Sequence, residues 1–244
     1  MDVFGSVAER YDTARPGYPP ELTDAIAGYH GSAPTSVVEI GAGTGKGKGT
    51  EILAALAAPL TCIEPDPRMA TRLTRKFPQA HVLIGTFEQW RPPPGGVALL
   101  ACAMAWHWLD PATRNTRARA ALTAGGTLAL FGHRYGYADP AQAAAIRATL
   151  DNLDSTAKER PADWMYHDVM AAGEFTDVRV QRFRRSLPLT RDEYLALVST
   201  FGPFLTRPPE LQRQGLDALG RLVDDFGGTV TLDLLTTLTL GRAA

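Results

Sequence analysis

The sequence predicts an α/β protein in which strands alternate with helices, and three features of the 244 residues support that fold class. Residues 37–40 form a short β-branched run that leads into alternating glycines and then into the helical segment 50–58. Further short apolar runs, separated by helical segments, follow up to residue 132. A long Thr-rich run at 229–240 closes the pattern. Short runs this apolar are typical of buried strands, and the alternation with helices favours a parallel sheet.

The elements follow from this periodicity in chain order. A helix is expected at 21–29, beyond a Pro- and Gly-rich passage that forces an extended chain. The strands are predicted at 37–40, 60–64, 81–84, 97–102, 125–132, 175–183 and 229–240. Helices are predicted at 50–58, between the second and third strands up to residue 77, at 111–122 and within 139–172, and two amphipathic helices are predicted within 186–227.

The composition indicates an ordinary globular protein, with 45% hydrophobic and 21% charged residues. A net charge of −1 without a basic stripe gives no electrostatic reason to expect nucleic-acid binding. No apolar run approaches the length of a membrane span, and the N-terminus lacks the features of a signal peptide, so we expect a cytoplasmic protein, as a monomer or homodimer.

The two cysteines, Cys62 and Cys102, fall in predicted buried strands. If these strands flank the first one, the cysteines are about 9–10 Å apart, too far for a disulfide. No Cys/His cluster has the spacing of a metal site, so no metal is expected.

The glycines at 41, 43 and 45 predict a ligand-binding turn. Glycine permits positive φ and close approach to the main chain, and the helix that follows offers unpaired N–H groups. The spacing excludes a P-loop, because neither Lys46 nor Lys48 has the required frame. The dinucleotide fingerprint is also disfavoured, since its third glycine would stand where Lys46 is.

Two acids define the expected ligand further. Glu39 precedes the first glycine by two residues, and a buried carboxylate there would repel a pyrophosphate but suits a ligand with an ammonium and a sulfonium. Glu64 ends the second predicted strand, 23 residues after Gly41. An acid about 20 residues after the first glycine is the expected hydrogen-bond acceptor for the ribose hydroxyls of an adenosine.

The pattern Glu39-x-Gly41-x-Gly43-x-Gly45 after an apolar strand resembles the nucleotide-binding motif of class I S-adenosylmethionine-dependent methyltransferases of the small-molecule type. The resemblance covers most of the chain and is best defined over 36–132. It implies a Rossmann-like seven-stranded mixed sheet, with the last strand antiparallel and helices on both faces. It also implies one domain over 1–244, with an N-terminal arm (1–30), a core (36–183 and 228–241) and a small helical cap (about 186–227).

The resemblance implies S-adenosylmethionine as cofactor and S-adenosylhomocysteine as product. Many family members have an Asp where Thr86 stands, which would accept from the adenine amino group, and the next residue, Phe87, would contribute its main chain. Arm residues matching Tyr-Asp-x-x-Arg-Pro-x-Tyr-Pro would fold over the cofactor, although an arm packed on the sheet is an equal alternative. The cofactor-binding residues implied are Glu39, Gly41, Gly43, Gly45, Glu64, Pro65, Thr86, Phe87, Ala103, Tyr11 and Arg15.

An aromatic segment, Ala103 to Pro111, follows the fourth predicted strand and should face the transferred methyl group, because ligands of open α/β sheets bind at the carboxyl ends of strands. His107 is the candidate general base. The alternative is that His107 and Trp108 hold the segment by hydrogen bonds. The residues expected to contact the acceptor are Tyr18, Trp106, Trp108 and His133.

The predicted activity is therefore transfer of a methyl group to a nucleophilic atom of a small-molecule acceptor by in-line displacement. Two other functions remain open. One is an NAD-dependent oxidoreductase, which would share the first strand, the glycines and Glu64. The other is a non-catalytic module that binds the cofactor and a partner protein.

Overall fold

The computed structural model describes residues 13–43, 48–151 and 160–244. Its strands form one seven-stranded sheet with helices around it. The strands are β1 (Val37–Ile40), β2 (Leu60–Glu64), β3 (His81–Ile84), β4 (Val97–Ala103), β5 (Leu122–Tyr137), β6 (Phe175–Thr190) and β7 (Thr229–Ala243).

In the described ranges, one helix precedes β1 and the others lie between strands. They are α1 (Glu21–His30), α2 (Lys48–Ala54), α3 (Pro67–Lys76), α4 (Arg114–Ala121), α5 (Pro140–Asp151), α6 (Trp164–Ala172), α7 (Arg191–Val198), α8 (Gly202–Leu205) and α9 (Pro209–Asp225). A 3₁₀ turn covers Trp106–Trp108.

The sheet has the order β3-β2-β1-β4-β5-β7-β6, so the chain reverses direction across the sheet after β3. Strand β1 pairs in parallel with β2 on one side and with β4 on the other. In this register Glu39 lies between Cys62 and Ala101. The carboxyl ends of β1, β2 and β4 therefore meet at one edge of the sheet, at the point where the strand order reverses, which is where such sheets bind ligands.

Strand β7 runs antiparallel to its neighbour β5. The His133 ring bonds to Thr236, and the backbone N–H of Ala138 donates to the carbonyl of Thr231. Partner numbers on β7 thus fall as numbers on β5 rise, which is the pattern of an antiparallel pair. The predicted mixed sheet with an antiparallel last strand is confirmed.

The chain divides into two compact units. The larger unit comprises residues 16–133, 161–183 and 236–244, and the smaller one comprises, of the described residues, 13–15, 134–151, 160 and 184–235. In the larger unit, alternate residues of β1 and β4 bury opposite faces of the sheet: Val37 and Leu99 on one face, Val38 and Leu100 on the other. Helices α1, α2 and α3 cover the first face, and α4 and α6 cover the second.

The smaller unit has its own buried core. Helices α5, α7, α8 and α9 contribute apolar side chains, and so does β7. A hydrogen bond of 2.8 Å between the hydroxyl groups of Tyr137 and Tyr194 satisfies polar atoms within this core. The core residues include Ile146, Tyr194, Leu197, Phe204, Leu219, Val223, Val230 and Leu232.

Several element boundaries differ from the prediction. Strand β5 continues to Tyr137 and β6 to Thr190, because the added residues pack on the core of the smaller unit. Thr190 then ends β6 and caps α7 in a capping box with Glu193. Helix α4 begins at Arg114 rather than at 111, because the Asp110 carboxylate accepts from nearby N–H and hydroxyl groups and forms a turn first.

Cys62 and Cys102 are both buried and unpaired, on strands that flank β1, as predicted. None of the helices in the described ranges combines the length and the apolar character needed to cross a bilayer.

Candidate active site

The glycine turn after β1 has the backbone conformation that its sequence predicts. Gly41 and Gly43 have φ values of 66° and 69°, a region that side chains with a Cβ rarely adopt. The N–H of Gly41 donates to the carbonyl of Ile63 at 2.8 Å, which ties the turn to β2. A Cβ on Gly41 would lie only 2.5 Å from the Cβ of Ala105, so the turn also packs against the segment after β4. Gly45 lies outside the described residues.

The carboxylate of Glu64 connects the ends of β1 and β2. One oxygen accepts from the N–H of Gly43 at 2.8 Å, and the other accepts from the N–H of Asp66 at 2.9 Å. Burial raises the pKa of Glu64, while these two backbone bonds act in the opposite direction. A carboxylate offers about four lone-pair sites, so Glu64 keeps acceptor capacity for further donors. Pro65 follows directly and is partly buried.

Glu39 is a fully buried acid beneath the turn, with 1% of its surface exposed. Its Oε2 atom accepts from the hydroxyl of Thr50 at 2.6 Å, and the thiol of Cys62 lies 3.8 Å from the same oxygen. Burial outweighs the opposing hydrogen bonds from Thr50 and Cys62 and, together with the charge of Glu64, raises the pKa of Glu39 to about 8. A cation bound nearby would favour the ionised form.

Gly49 is a site residue that the sequence analysis did not single out. A Cβ at this position would lie 2.5 Å from Oε1 of Glu39 and 2.6 Å from the Cβ of Ala103. The first turn of α2 therefore approaches β1 and β4 more closely than any other residue type would allow. The signal was present in the sequence as the last member of the alternating glycines 41–49.

Thr86 and Phe87 follow β3 and lie next to the end of β2, since the N–H of Gly85 donates to the carbonyl of Glu64 at 3.2 Å. The N–H of Thr86 lies 3.4 Å from the side-chain oxygen of Gln89. The Phe87 side chain is buried and stacks on Trp90. The side chain thus fixes the position of Phe87, and the role of its main chain in the site stays a prediction.

The segment after β4 begins with a strained residue. Met104 has a φ of 58°, and its N–H donates to the carbonyl of Phe131 at 3.0 Å. Its sulfur atom accepts from the N–H of His133 at 3.2 Å. A positive φ at a residue with a Cβ costs free energy and is found where the surrounding structure enforces it.

The three residues of the 3₁₀ turn differ in exposure. Trp106 is fully buried, and its indole N–H donates to the carboxylate of Asp168 at 2.9 Å. Contact of Trp106 with an acceptor would therefore require this residue to move. His107 is partly buried, Trp108 is 51% exposed, and their rings lie 4.6 Å apart. The prediction that His107 and Trp108 face the acceptor stays open.

The arm residue Tyr18 packs against β5. Its ring stacks on His133 at 4.2 Å and meets the edge of Phe131 at 4.9 Å. The ring of His133 also hydrogen-bonds to the hydroxyl of Thr236 at 2.9 Å. Tyr18 and His133, which the sequence analysis assigns to the acceptor, are thus brought together in the larger unit.

Arg15 belongs to the smaller unit, where its guanidinium donates to the hydroxyl and the carbonyl of Thr200 at 2.8 and 2.9 Å. It also lies over the ring of Phe201 at 4.6 Å and contacts the hydroxyl of Tyr135 at 3.3 Å. Its predicted role in cofactor binding stays a prediction. Tyr11 lies outside the described residues.

The residues of the larger unit fit an adenosine that carries an amino acid. Glu64 has remaining acceptor capacity for ribose hydroxyls, and Glu39 provides a buried negative charge for a cation. Apart from its chain neighbours, no described residue has an atom within 4 Å of the position that a Cβ on Gly43 would take. In the part of the chain that the structure describes, no group of His, Cys, Asp or Glu has the arrangement of a metal site.

A sheet of this order, with a glycine turn after β1 and an acid ending β2, defines the class I methyltransferase fold. Residues 39–130 match the family model described as methyltransferase domain. This match and the relatives below indicate a methyltransferase enzyme.

Two relatives illustrate the similarity in sequence. The uncharacterized methyltransferase Rv3342 of Mycobacterium tuberculosis is 28% identical over 226 residues, which cover 90% of this chain and 85% of the relative. The uncharacterized methyltransferase-like protein C25B8.10 of Schizosaccharomyces pombe is 26% identical over 221 residues, or 89% and 84% of the two chains.

Solved structures agree in fold. A protein of Anaeromyxobacter dehalogenans, proposed to be a type II methyltransferase, superposes with a TM-score of 0.70 at 16% identity, covering 93% of this chain and 97% of that one. Geranyl diphosphate C-methyltransferase of Streptomyces coelicolor, solved with Mg²⁺, geranyl diphosphate and S-adenosyl-L-homocysteine, gives a TM-score of 0.51 at 10% identity, with coverages of 92% and 79%. At these identities the likeness concerns the fold alone.

Proposed function

We propose that this methyltransferase takes its methyl group from S-adenosylmethionine and transfers it to a nucleophilic atom of a small molecule. The observation that carries the proposal is the position of Glu64, whose carboxylate joins the glycine turn after β1 to the start of α3. A nucleoside bound at this edge would find the turn and the carboxylate side by side. When bound, S-adenosylmethionine supplies an electrophilic methyl group on a sulfonium.

The residues of the chain bind and orient in this proposal. Glu64 accepts the ribose hydroxyls, the main chain of Gly41 and Gly43 borders the amino-acid portion, and buried Glu39 favours its positive charge. Thr86 and Phe87 border the adenine. Catalysis then rests mainly on holding both reactants in line in a site that excludes water.

The acceptor side is formed by residues that follow the carboxyl end of β4 and by residues packed on β5. Tyr18 stacked on His133 offers an aromatic wall, and exposed Trp108 offers a second aromatic surface that suits a sulfonium cation. His107 is the candidate base for an acceptor that must lose a proton, because imidazole accepts protons near neutral pH. A cytoplasmic location and a monomeric or homodimeric state remain predictions.

Two experiments test the proposal. Isothermal titration with S-adenosylmethionine, S-adenosylhomocysteine and NAD should give binding of the first two only. Incubation with methyl-labelled cofactor and a small-molecule metabolite extract should then label a compound of low molecular mass. Tighter binding of NAD would overturn the proposal in favour of an oxidoreductase, and cofactor binding without any transfer would favour a non-catalytic module.

A further inference from the structure

Trp106, in the segment after β4, is held by a partly buried polar network that the sequence does not indicate. Asp168 on α6 accepts from the indole N–H of Trp106 at 2.9 Å, from Nε of Arg114 at 3.0 Å and from the amide of Asn115 at 3.0 Å. A second guanidinium nitrogen of Arg114 donates to the other carboxylate oxygen. Arg114 also donates to the carbonyl of Trp106 at 3.2 Å. Trp106 is therefore held by both its side chain and its main chain.

Four hydrogen bonds from the protein engage both oxygens of the Asp168 carboxylate. Oδ2 accepts from Trp106, Arg114 and Asn115, and Oδ1 accepts from Arg114. Burial acts to raise the pKa of Asp168, but the hydrogen bonds from Arg114, Trp106 and Asn115 outweigh it and hold the pKa below its usual value. Asp168 thus stays ionised and is occupied within the protein, which suits a role in orientation rather than in ligand binding.

The network is poorly explained by stability alone. Arg114 is 6% exposed, and a buried ion pair contributes little net stability compared with well-packed apolar residues. Oδ1 of Asn115 is buried with no hydrogen-bond partner among the described residues, and an unsatisfied buried acceptor costs about 1–3 kcal/mol. Because these features cost stability, the clearest role of the network is to fix one geometry of the segment.

We propose that Asp168 is a positioning residue that fixes the 3₁₀ turn Trp106–Trp108 and, through it, the orientation of His107 and Trp108 towards the methyl acceptor. The turn is a single one, closed by a bond of 2.9 Å from the N–H of Trp108 to the carbonyl of Ala105. With Trp106 fixed, the two residues that follow it have little freedom. The claim that His107 and Trp108 are oriented towards a methyl acceptor rests on the proposed function. The claim that Asp168 fixes the turn does not.

The test compares Asp168→Asn with Asp163→Asn in protein labelled with 5-fluorotryptophan. Asparagine keeps the shape of Asp168 but removes the charge and turns one acceptor atom into a donor. Asp163 precedes α6 and pairs with Arg182 at the surface, so its replacement is a matched control. Fluorine NMR should show the Trp108 resonance shifted or broadened in Asp168→Asn and unchanged in Asp163→Asn. The Trp90 resonance should stay fixed in both.

Binding and transfer provide a second readout. Asp168→Asn should bind S-adenosylhomocysteine within about threefold of the wild type, while the initial rate of methyl transfer to the extract falls at least tenfold. Trp106→Phe keeps a buried aromatic ring but loses the N–H donor together with the pyrrole part of the indole, and it should also shift the Trp108 resonance. If Asp168→Asn does not fold, Trp106→Phe alone decides.

An unchanged Trp108 resonance in folded Asp168→Asn, or in Trp106→Phe where that variant must decide, would overturn the proposal. So would an unchanged rate of transfer. If the wild type binds no S-adenosylhomocysteine and transfers no methyl group, the proposed function fails, but the fluorine spectra still show whether Asp168 fixes the turn.

Discussion

Oε1 of Glu39 lies 2.5 Å from the position that a Cβ on Gly49 would occupy. The first turn of α2 therefore lies directly against the centre of the sheet, because Glu39 stands in β1 between β2 and β4. A distance under 3 Å leaves no room for a methyl group, and the other neighbour of that position, the Cβ of Ala103, is fixed on β4. The absence of a side chain at Gly49 is thus a requirement of the site geometry.

Replacing Gly49 by alanine should therefore destabilise the protein and weaken cofactor binding. An added methyl group would push the Glu39 carboxylate or the start of α2 away, and overpacking of this kind costs about 1–3 kcal/mol. We expect a lower midpoint in urea unfolding and at least tenfold weaker binding of S-adenosylhomocysteine.

Gly28→Ala is the matched control, since Gly28 also lies in a helix but has no atom within 4 Å of an added Cβ. It should leave binding unchanged and stabilise the protein by about 0.5–1 kcal/mol. Gly49→Ala with wild-type stability and affinity would show that α2 can shift without consequence.

Glu64→Gln tests the carboxylate at the end of β2. The amide keeps the size of the side chain but replaces one acceptor by a donor, which would face the N–H of Gly43 or of Asp66. We expect the affinity for S-adenosylmethionine to fall at least thirtyfold in isothermal titration. Glu88→Gln, on the segment after β3, should bind like the wild type. Equal affinities of the Glu64 variant and the wild type would remove the main support for the proposed site.

Much of the fold could be predicted from periodicity alone. Strands β1, β2 and β3 begin and end at the predicted residues. Short apolar runs flanked by Gly, Pro and acids can adopt few structures other than a buried strand. The glycine turn could also be predicted, since positive φ at Gly41 and Gly43 is a local requirement of the backbone.

What the sequence could not show depends on contacts between distant residues. Asp168 and Trp106 are separated by 62 residues, and nothing in the pattern around Asp168 distinguishes it from a surface acid on a helix. The extension of β6 to Thr190 depends on the core of the smaller unit, which forms only when helices far along the chain pack together. Burial of Trp106 likewise follows from tertiary packing.

Asp66→Ala should destabilise the protein without affecting the sheet. The Asp66 carboxylate accepts from the N–H of Arg68 at 2.9 Å and caps α3, and removing such a cap costs about 1 kcal/mol. The bond to Arg68 holds the pKa of Asp66 at about 2, below its ordinary value of 3.8, so this stability is present above pH 4 and is lost as the pH falls through 2.

Urea unfolding of Asp66→Ala and the wild type at pH 7 and at pH 2.5 measures the effect. The difference in free energy of unfolding between the two proteins should be smaller at pH 2.5. Asp163→Ala is the control, because Asp163 precedes α6 but makes no capping bond. A difference that stays constant with pH would contradict a contribution from the ionised cap.

The free protein should hold a proton on Glu39 that cofactor binding displaces. The groups that face this carboxyl among the described residues are neutral or acidic: Thr50 on α2, Cys62 and Glu64 on β2. With the pKa raised by burial to about 8 from an ordinary 4.5, Glu39 is mostly protonated at pH 7. Its contribution to stability is therefore present below pH 4.5 and is lost as the pH rises towards 8.

A cationic ligand favours the ionised carboxylate, so affinity for S-adenosylmethionine should increase by up to about tenfold per pH unit between pH 6 and 8 and level off above. Titration calorimetry in buffers of different ionisation enthalpy should show release of nearly one proton at pH 7. The α-amino group of the ligand titrates near pH 7.7–8.0 as well. Glu39→Gln distinguishes these two sources of protons, because in this variant only the α-amino group of the ligand can titrate. Equal proton release by Glu39→Gln and the wild type would mean that Glu39 does not change its protonation on binding.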